Sequence, residues 1–536
     1  MHSLNIKSKV DNNNSGDSSG KYRSDLLSRA YDLHKRGHYA EAQSAYKQIL
    51  ITNPIDVDAL FGVGLLALTL KQNDKAFAIF SKTVDLYGNH CHAFFQRGRI
   101  QNQNKDYEKA ISDFDAAIAI KPDFFEAISN RGIAYTKLSK LEAALSDFNT
   151  AIKIRPGSAD AYYNRALAFK NLEQHDLAIA DYTQAILKNP THFQAFNNRG
   201  LAYRESSLFD KAIADFQTCV ELKTDFADGY FNKALTHLMT GDFTNAWQLY
   251  EYRWDSSNFT SKKRNFKKPL WLGDQPLNGK TILLHSEQGL GDSLQFCRYI
   301  KQFKYKNCTV LLEVEKPLIK IMTTILPATQ IFDKESELPA FDFHCPLMSL
   351  PLAFKTTIDN VPESGGYLSV DRRQTEKWRK FRQPSEKLHI GLAWRGDPSH
   401  SKNASRSAEL NELINELSSE FEWYSLQIDA TETEKNLIDE RKNFHHFGAD
   451  IGDFAKTGAL CKVLDAIICV DTSIAHLAGA LGLRTYLMLS KVPDARWLYK
   501  GQWTVWYDSL NLYRLTTGQS YSDLIKIIQA DIKSNL

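Results

Sequence analysis

The sequence predicts an α-helical solenoid over its first half and an α/β region of two doubly wound parallel sheets over its second. Three observations carry this. A small–alanine–aromatic pattern returns every 34 residues, the pattern changes after Trp254 to short apolar runs separated by helical stretches, and polar, glycine-containing loops follow several of those runs.

The repeat keeps its register over seven units. A small residue stands at Ala30, Gly64, Gly98, Gly132, Ala166, Gly200 and Ala234. Twelve residues on comes alanine, at Ala42, Ala76, Ala110, Ala144, Ala178, Ala212 and Ala246. Four further on comes an aromatic ring, at Tyr46, Phe80, Phe114, Phe148, Tyr182, Phe216 and Tyr250. Pro54, Pro122, Pro156 and Pro190 close four units. Two amphipathic helices per unit explain the pattern: the small residue and the alanine let the helices approach, the ring shares the alanine's face, and proline stops the second helix. One such unit cannot bury its own apolar stripe, so neighbours must stack. The Asn-Arg pairs Asn130-Arg131, Asn164-Arg165 and Asn198-Arg199 recur at the same step. They are expected either to face the groove, where asparagine hydrogen-bonds an extended peptide, or to make polar contacts between repeats.

Beyond Trp254, residues 255–277 are polar, basic and aromatic and read as a linker packing on the next domain, with Ser261–Lys268 mainly solvated. Apolar runs then predict strands at Thr281–His285, Thr309–Glu313, Phe341–His344, Leu388–Trp394, Trp423–Gln427, Ala466–Val470 and Thr485–Leu489. Strands alternating with helical stretches imply parallel sheets, with ligands at the carboxyl ends of the strands.

Composition narrows the function. The 66 basic and 63 acidic residues leave a net charge of +3, which argues against a dedicated nucleic-acid binder. The seven cysteines are scattered with no CxxC pair, so neither a zinc site nor a disulfide framework is expected. The polar N-terminus lacks the apolar core of a signal peptide, and no apolar run approaches the ~20 residues of a membrane span. A cytoplasmic location is expected.

Three loops carry candidate chemistry. Ser286–Gln295 contains Gly289, Gly291 and Asp292, but neither the lysine of a P-loop nor the third glycine of a dinucleotide fingerprint. Asp292 is a functional candidate there, or simply a helix cap. Gly391–Ser407 runs from a strand into a basic loop in which Arg395, Lys402 and Arg406 are candidates to neutralise a diphosphate; the plain alternative is a solvated surface loop. In Val470–Gly482, Asp471, Thr472 and Ser473 open an Ala/Gly-rich helix, with His476 near its first turn. Such a helix start suits a phosphate, while Asp471 suits a sugar or ribose hydroxyl; Asp-Thr-Ser is also a good capping sequence.

The 34-residue pattern resembles the tetratricopeptide repeat. The loops Gln288–Phe296, Gly391–Trp394 with Arg406-Ser407, and Val470–Gly482, extended by Pro493-Asp494, Arg496–Leu498 and Val505–Tyr507, resemble the heptosyltransferase-like glycosyltransferases (family 9). That resemblance implies two Rossmann-like domains in the GT-B fold and a metal-independent, inverting glycosyl transfer. It makes Asp292 the catalytic base and Asp471, Thr472, Ser473 and His476 the donor loop. The chain departs from the pattern at Asn403-Ala-Ser405, where related sequences carry a denser basic run. The expected organisation is a disordered leader over 1–22, a seven-unit array over 23–254, the linker over 255–277, a first Rossmann-like half over 278–385 and a second, nucleotide-sugar-binding half over 386–536. The implied co-substrate is a nucleotide sugar, with no other cofactor and no metal, and the implied partner is a protein or peptide in the repeat groove. A non-catalytic interaction scaffold with a vestigial glycosyltransferase module is the alternative.

Overall fold

The computed structural model describes residues 18–382, 385–397 and 403–535. The chain forms two compact units, Met1–Ala195 and Phe196–Leu536. Among the described residues, no helix is long and apolar enough to cross a membrane.

The repeats form seven helical pairs, from Ser18–Lys35 with Tyr39–Thr52 to Ala227–Thr240 with Phe243–Tyr250. The first helix begins at Ser18, so residues 18–22 of the expected leader are helical. Asp56, His90 and Ser158 cap first helices by accepting the N–H of Ala59, Ala93 and Ala161. Each unit turns between its helices on a left-handed residue. These are Gly37, Lys71, Lys105, Ser139, Glu173, Ser207 and Gly241, and the five that are not glycine have φ between 57° and 67°.

The small residue and the ring are matched within each unit. Where the slot is glycine the ring is phenylalanine, and where it is alanine the ring is tyrosine. A Cβ added at Gly64, Gly98, Gly132 or Gly200 would lie 2.5, 2.9, 2.7 or 2.8 Å from Phe80, Phe114, Phe148 or Phe216, so these rings lie flat against the facing backbone. Tyr46, paired with Ala30, instead leans on Gly62 of the next unit.

The Asn-Arg arginines do not serve the groove. Arg131 grips the buried Asp147 of its own unit through Nε and Nη2 (2.9 and 2.6 Å) and reaches Asp115 of the preceding unit at 2.5 Å. Arg165 and Arg199 hold Asp181 and Asp215 in the same way. A planar guanidinium matches a carboxylate with two parallel bonds, so the recurring arginine fastens one helix of the hairpin to the other.

The second unit contains two parallel sheets. The first comprises β1 (Thr281–His285), β2 (Thr309–Val314), β3 (Ile331–Asp333) and β4 (Phe343–Pro346), in the order β3-β2-β1-β4. The second comprises β5 (Leu388–Ala393), β6 (Phe421–Ser425), β7 (Phe444–His445), β8 (Ala466–Val470), β9 (Thr485–Leu489) and β10 (Leu510–Arg514), in the order β10-β9-β8-β5-β6-β7. Interior strands such as Ala-Ile-Ile-Cys-Val of β8 are buried throughout, as strands covered on both faces must be. The chain crosses towards the second sheet before the expected boundary at 385. Tyr367 and Leu368 already donate their N–H groups to the Ala480 carbonyl, at 2.8 and 2.9 Å.

The linker expected over 255–277 is part of the α/β core. Trp271 is fully buried. It donates its N–H to the His344 carbonyl at 2.8 Å, while His344 donates back to Pro269 at 3.1 Å, which covers the open edge of β4. The basic run within it is not simply solvated. Arg264 forms a bidentate pair with the buried Glu313, and Phe266 packs on His285 and His344.

The sixth and seventh helical pairs pack against the α/β region, so the expected division at 254 falls inside one compact unit. Phe243 stacks on Trp506 and Phe209 meets Tyr499. The Trp247 indole donates to the Thr356 carbonyl at 2.9 Å. Arg253, with no exposed side-chain surface, binds Glu287 through Nε (2.8 Å) and Nη2 (3.0 Å), and also reaches Glu251 and Ser349.

Candidate functional site

The carboxyl ends of β1, β8 and β9 lead into three loops that meet between the two sheets. After β1, Glu287 is pinned by Arg253 and by the Met348 N–H (3.2 Å), which fixes the approach to Gly289. The helix Leu290–Phe296 then opens with Asp292 on its first turn, whose Oδ2 accepts the Gly289 N–H at 3.1 Å. The second glycine has a steric reason: a Cβ at Gly291 would stand 2.7 Å from His476 Cδ2. The loop can therefore press against the helix Ser473–Ala480 of the other sheet.

After β8, Asp471 is buried, and Thr472 caps that helix by accepting the Ile474 N–H at 3.1 Å. Ser473 is the first helical residue and half-buried. His476 lies beneath it, stacked on Trp497 with ring centroids 5.1 Å apart. Its Nδ1 contacts the Tyr507 hydroxyl at 2.9 Å and its Nε2 contacts Arg496 Nη1 at 3.3 Å. Because an arginine only donates, Nε2 accepts and the proton sits on Nδ1. Burial, reinforced by Arg496, holds this imidazole well below its ordinary pKa, so it is neutral.

The loop after β9 supplies the group that joins the other two. Arg496 Nη1 donates to Asp292 Oδ1 at 2.7 Å and Nε donates to Asp494 Oδ1 at 2.8 Å. Burial alone would disfavour its charge, but Asp292, Asp494 and Asp471 outweigh it and raise Arg496. Asp471 is pushed up, by burial first and then by the charge of Asp494; Arg496 and the nearby Trp497 indole pull the other way. That indole N–H is buried and makes no hydrogen bond of good geometry among the described residues. Next to it, Leu498 adopts φ 59° and ψ 172°, a region that side chains other than glycine avoid.

The structure therefore brings Asp292, Asp471 and His476 to one buried cluster, with Thr472 and Ser473 at its edge. Arg406 lies near enough for its charge to act on Asp471 and His476. Arg395 stands apart. Its guanidinium binds Glu434 (3.2 and 3.1 Å) and Asp429 (2.9 Å), and Glu434 also holds the Trp394 indole at 2.6 Å. Burial opposes the Glu434 charge, but Arg395, the Thr431 N–H and Trp394 bring that carboxyl down to about 2. Arg395, expected at a diphosphate, is thus engaged in an ion pair with Glu434 and Asp429 in the structure. Lys402 lies outside the described residues. Sequence reasoning gave no role to Arg496, Asp494, Trp497 or Glu287. The stretch Pro493–Leu498 stood out in the sequence, but nothing there said that its arginine would cross to Asp292.

A second candidate lies in the repeats. A cavity of about 400 Å³ is lined by Phe125, Asn130, Tyr163, Asn164, His192 and Gln194, among others. Asn130 and Asn164 line this cavity, while Arg131 and Arg165 are tied within the array; the Asn130 amide donates to the Glu126 carbonyl of its own helix at 2.7 Å.

Tetratricopeptide-repeat family models match residues 27–90, 92–124, 132–173, 159–192 and 193–226. Protein FlbA of Caulobacter vibrioides is 21% identical over 317 residues, 54% of this chain and 52% of FlbA, so the chain spans about half the length of the curated relative it matches. Among solved structures, MamA is 22% identical over 32% of this chain and 93% of its own, with a TM-score of 0.30. YrrB, a tetratricopeptide-repeat protein with an unusual peptide-binding site, is 18% identical over 35% of this chain and 97% of its own, with a TM-score of 0.32. A tetratricopeptide-repeat protein of Parabacteroides merdae is 18% identical over 43% of this chain and 92% of its own, with a TM-score of 0.37. The N-terminal part of this chain is an array of tetratricopeptide repeats, followed by an α/β region with two parallel sheets.

Proposed function

We propose that the α/β region is a GT-B glycosyltransferase similar to the heptosyltransferase-like family, and that the repeats recruit its protein or glycan acceptor. One observation carries the reading: Asp292 from one sheet and Asp471 and His476 from the other converge on a single buried cluster at strand carboxyl ends. In the proposed reaction Asp292 takes the proton of an acceptor hydroxyl. The freed oxygen attacks the anomeric carbon from the face opposite the nucleotide, and the bond to the diphosphate breaks with its electrons leaving on the diphosphate. Arg496, Arg406 and the N–H groups at Thr472–Ser473 would stabilise that charge. The Asn164 amide in the repeat cavity would hold an extended peptide backbone.

Calorimetric titration with ADP-, UDP- and GDP-linked sugars tests the donor site, with Asp471→Ala as the control. Selective binding lost in the variant is the expected result. Absence of binding to every donor would refute the reading and favour a scaffold with a vestigial module. The engagement of Arg395 with Glu434 and of Asp292 with Arg496 supports that second reading.

A further inference from the structure

The last two repeats touch the loop that carries Arg496. The loop carrying Arg496 is held from outside the sheet: Tyr499 donates its N–H to the Met239 carbonyl at 3.0 Å, and its ring packs on Phe209 at 4.5 Å. Met239 belongs to the seventh repeat and Phe209 to the sixth. Just before Phe209, in the last turn of the helix Phe193–Glu205, stands Arg204.

Arg204 is 8% exposed. Its Nη1 is buried with no hydrogen-bond partner, and among the described residues its guanidinium makes no ion pair. The carboxylates whose charge reaches it are its neighbour Glu205 and Asp494 of the Arg496 loop. Other buried arginines of this unit are treated differently. Arg253 has Glu287, Glu251 and Ser349, and Arg298 donates to the carbonyls of Gln295 (2.8 Å) and Trp506 (2.7 Å) and to the Tyr367 hydroxyl (3.2 Å). A buried cation without a partner is costly, and an anion beside it would offset that cost. Within the loop that carries Arg496, the contact that can give way is the one to Asp494. Leu498 stores backbone strain, and the Asp494 side chain is 46% exposed, so it can turn to solvent and give up its hold on Arg496.

We infer that Arg204 of the sixth repeat and Arg496 form a two-arginine seat for a phosphate-bearing ligand, so that the repeat array supplies a binding residue to the cleft. The identification of that ligand as the diphosphate of a nucleotide sugar rests on the function proposed above.

The test uses the full-length protein and inorganic pyrophosphate. Thermal unfolding is followed by tryptophan fluorescence and affinity by calorimetry, for wild type, Arg204→Met and Arg204→Lys. Wild type is expected to gain thermal stability with pyrophosphate. Arg204→Met should unfold at the same or a higher temperature than wild type without ligand, because an unpaired buried charge is gone, and should bind pyrophosphate at least tenfold more weakly. Arg204→Lys should keep part of the affinity. Wild-type affinity in Arg204→Met overturns the inference. Nucleotide-sugar binding without pyrophosphate binding, and unaffected by Arg204→Met, overturns the arginine seat alone. Pyrophosphate binding that depends on Arg204, without binding of any nucleotide sugar, supports the seat and overturns the nucleotide-sugar reading. No binding of either probe overturns both.

Discussion

Replacing Arg253 by methionine isolates the contact that fastens the seventh repeat to the β1 loop. Methionine keeps much of the volume and removes five donors. Glu287, whose side chain is fully buried, then loses two hydrogen bonds from Arg253 and keeps only the Met348 N–H. Removing one partner of a buried ion pair typically costs 3–5 kcal/mol, because the other charge stays unmatched in a poor solvent. With a urea dependence of about 3 kcal/mol per M, this lowers the unfolding midpoint by roughly 1–1.7 M. All nine tryptophans lie between Trp247 and Trp506, so their fluorescence reports the second unit alone. The double variant Arg253→Met/Glu287→Met should recover most of the loss, since an apolar pair of similar volume replaces a buried ion pair at little cost. A shift below about 0.3 M for Arg253→Met, or a double variant no more stable than the single, would refute the account.

Gly132→Ala places a Cβ 2.7 Å from the Phe148 ring and should cost about 1–3 kcal/mol; circular dichroism at 222 nm during heating reads it, and an unchanged melting temperature would contradict the close fit of ring and backbone. Ser139→Gly relieves a left-handed residue (φ 57°) and should raise stability by up to about 1 kcal/mol after the entropy of glycine is counted; a lower melting temperature would contradict this. Burial holds His285 at about 3, against 6.5 when unfolded, so it folds neutral and must be charged on unfolding in acid. Its contribution is complete above pH 6.5 and is lost as pH falls towards 3, at about 1.4 kcal/mol per pH unit. His285→Gln should flatten that acid limb in tryptophan-monitored urea titrations, and identical limbs in variant and wild type would exclude His285 as the source.

The legible parts of the fold are those whose burial leaves a one-dimensional trace. The repeat could be read because Ala42, Ala76 and their equivalents recur in register, and β1, β8 and β9 because strands buried on both faces are continuous apolar runs. The three strands that were not foreseen, β3, β7 and β10, all lie at sheet edges. There one side is open, and Leu510-Asn-Leu-Tyr-Arg carries polar residues among its apolar ones. The site divides in the same way. Asp292, Asp471 and His476 follow directly from strand ends, so their local sequence announces them. Arg496 and Arg204 matter only because a loop and a repeat turn are brought beside those ends. Arg395 looked equally available, but its partner Glu434 stands 39 residues further along the chain and is found only in the folded protein.

The matching of slot and ring within each hairpin bears on how such an array can be shortened, lengthened or shuffled. Copying or deleting a complete hairpin leaves every glycine with its phenylalanine and every alanine with its tyrosine. A crossover between the two helices of a hairpin would join, for example, the Ala166 helix to a phenylalanine shaped for glycine, and put a methyl group where a ring must lie. The exchangeable module of this protein is therefore the hairpin that begins with the slot helix, and splices elsewhere in the same 34 residues should yield arrays that are in register but badly packed.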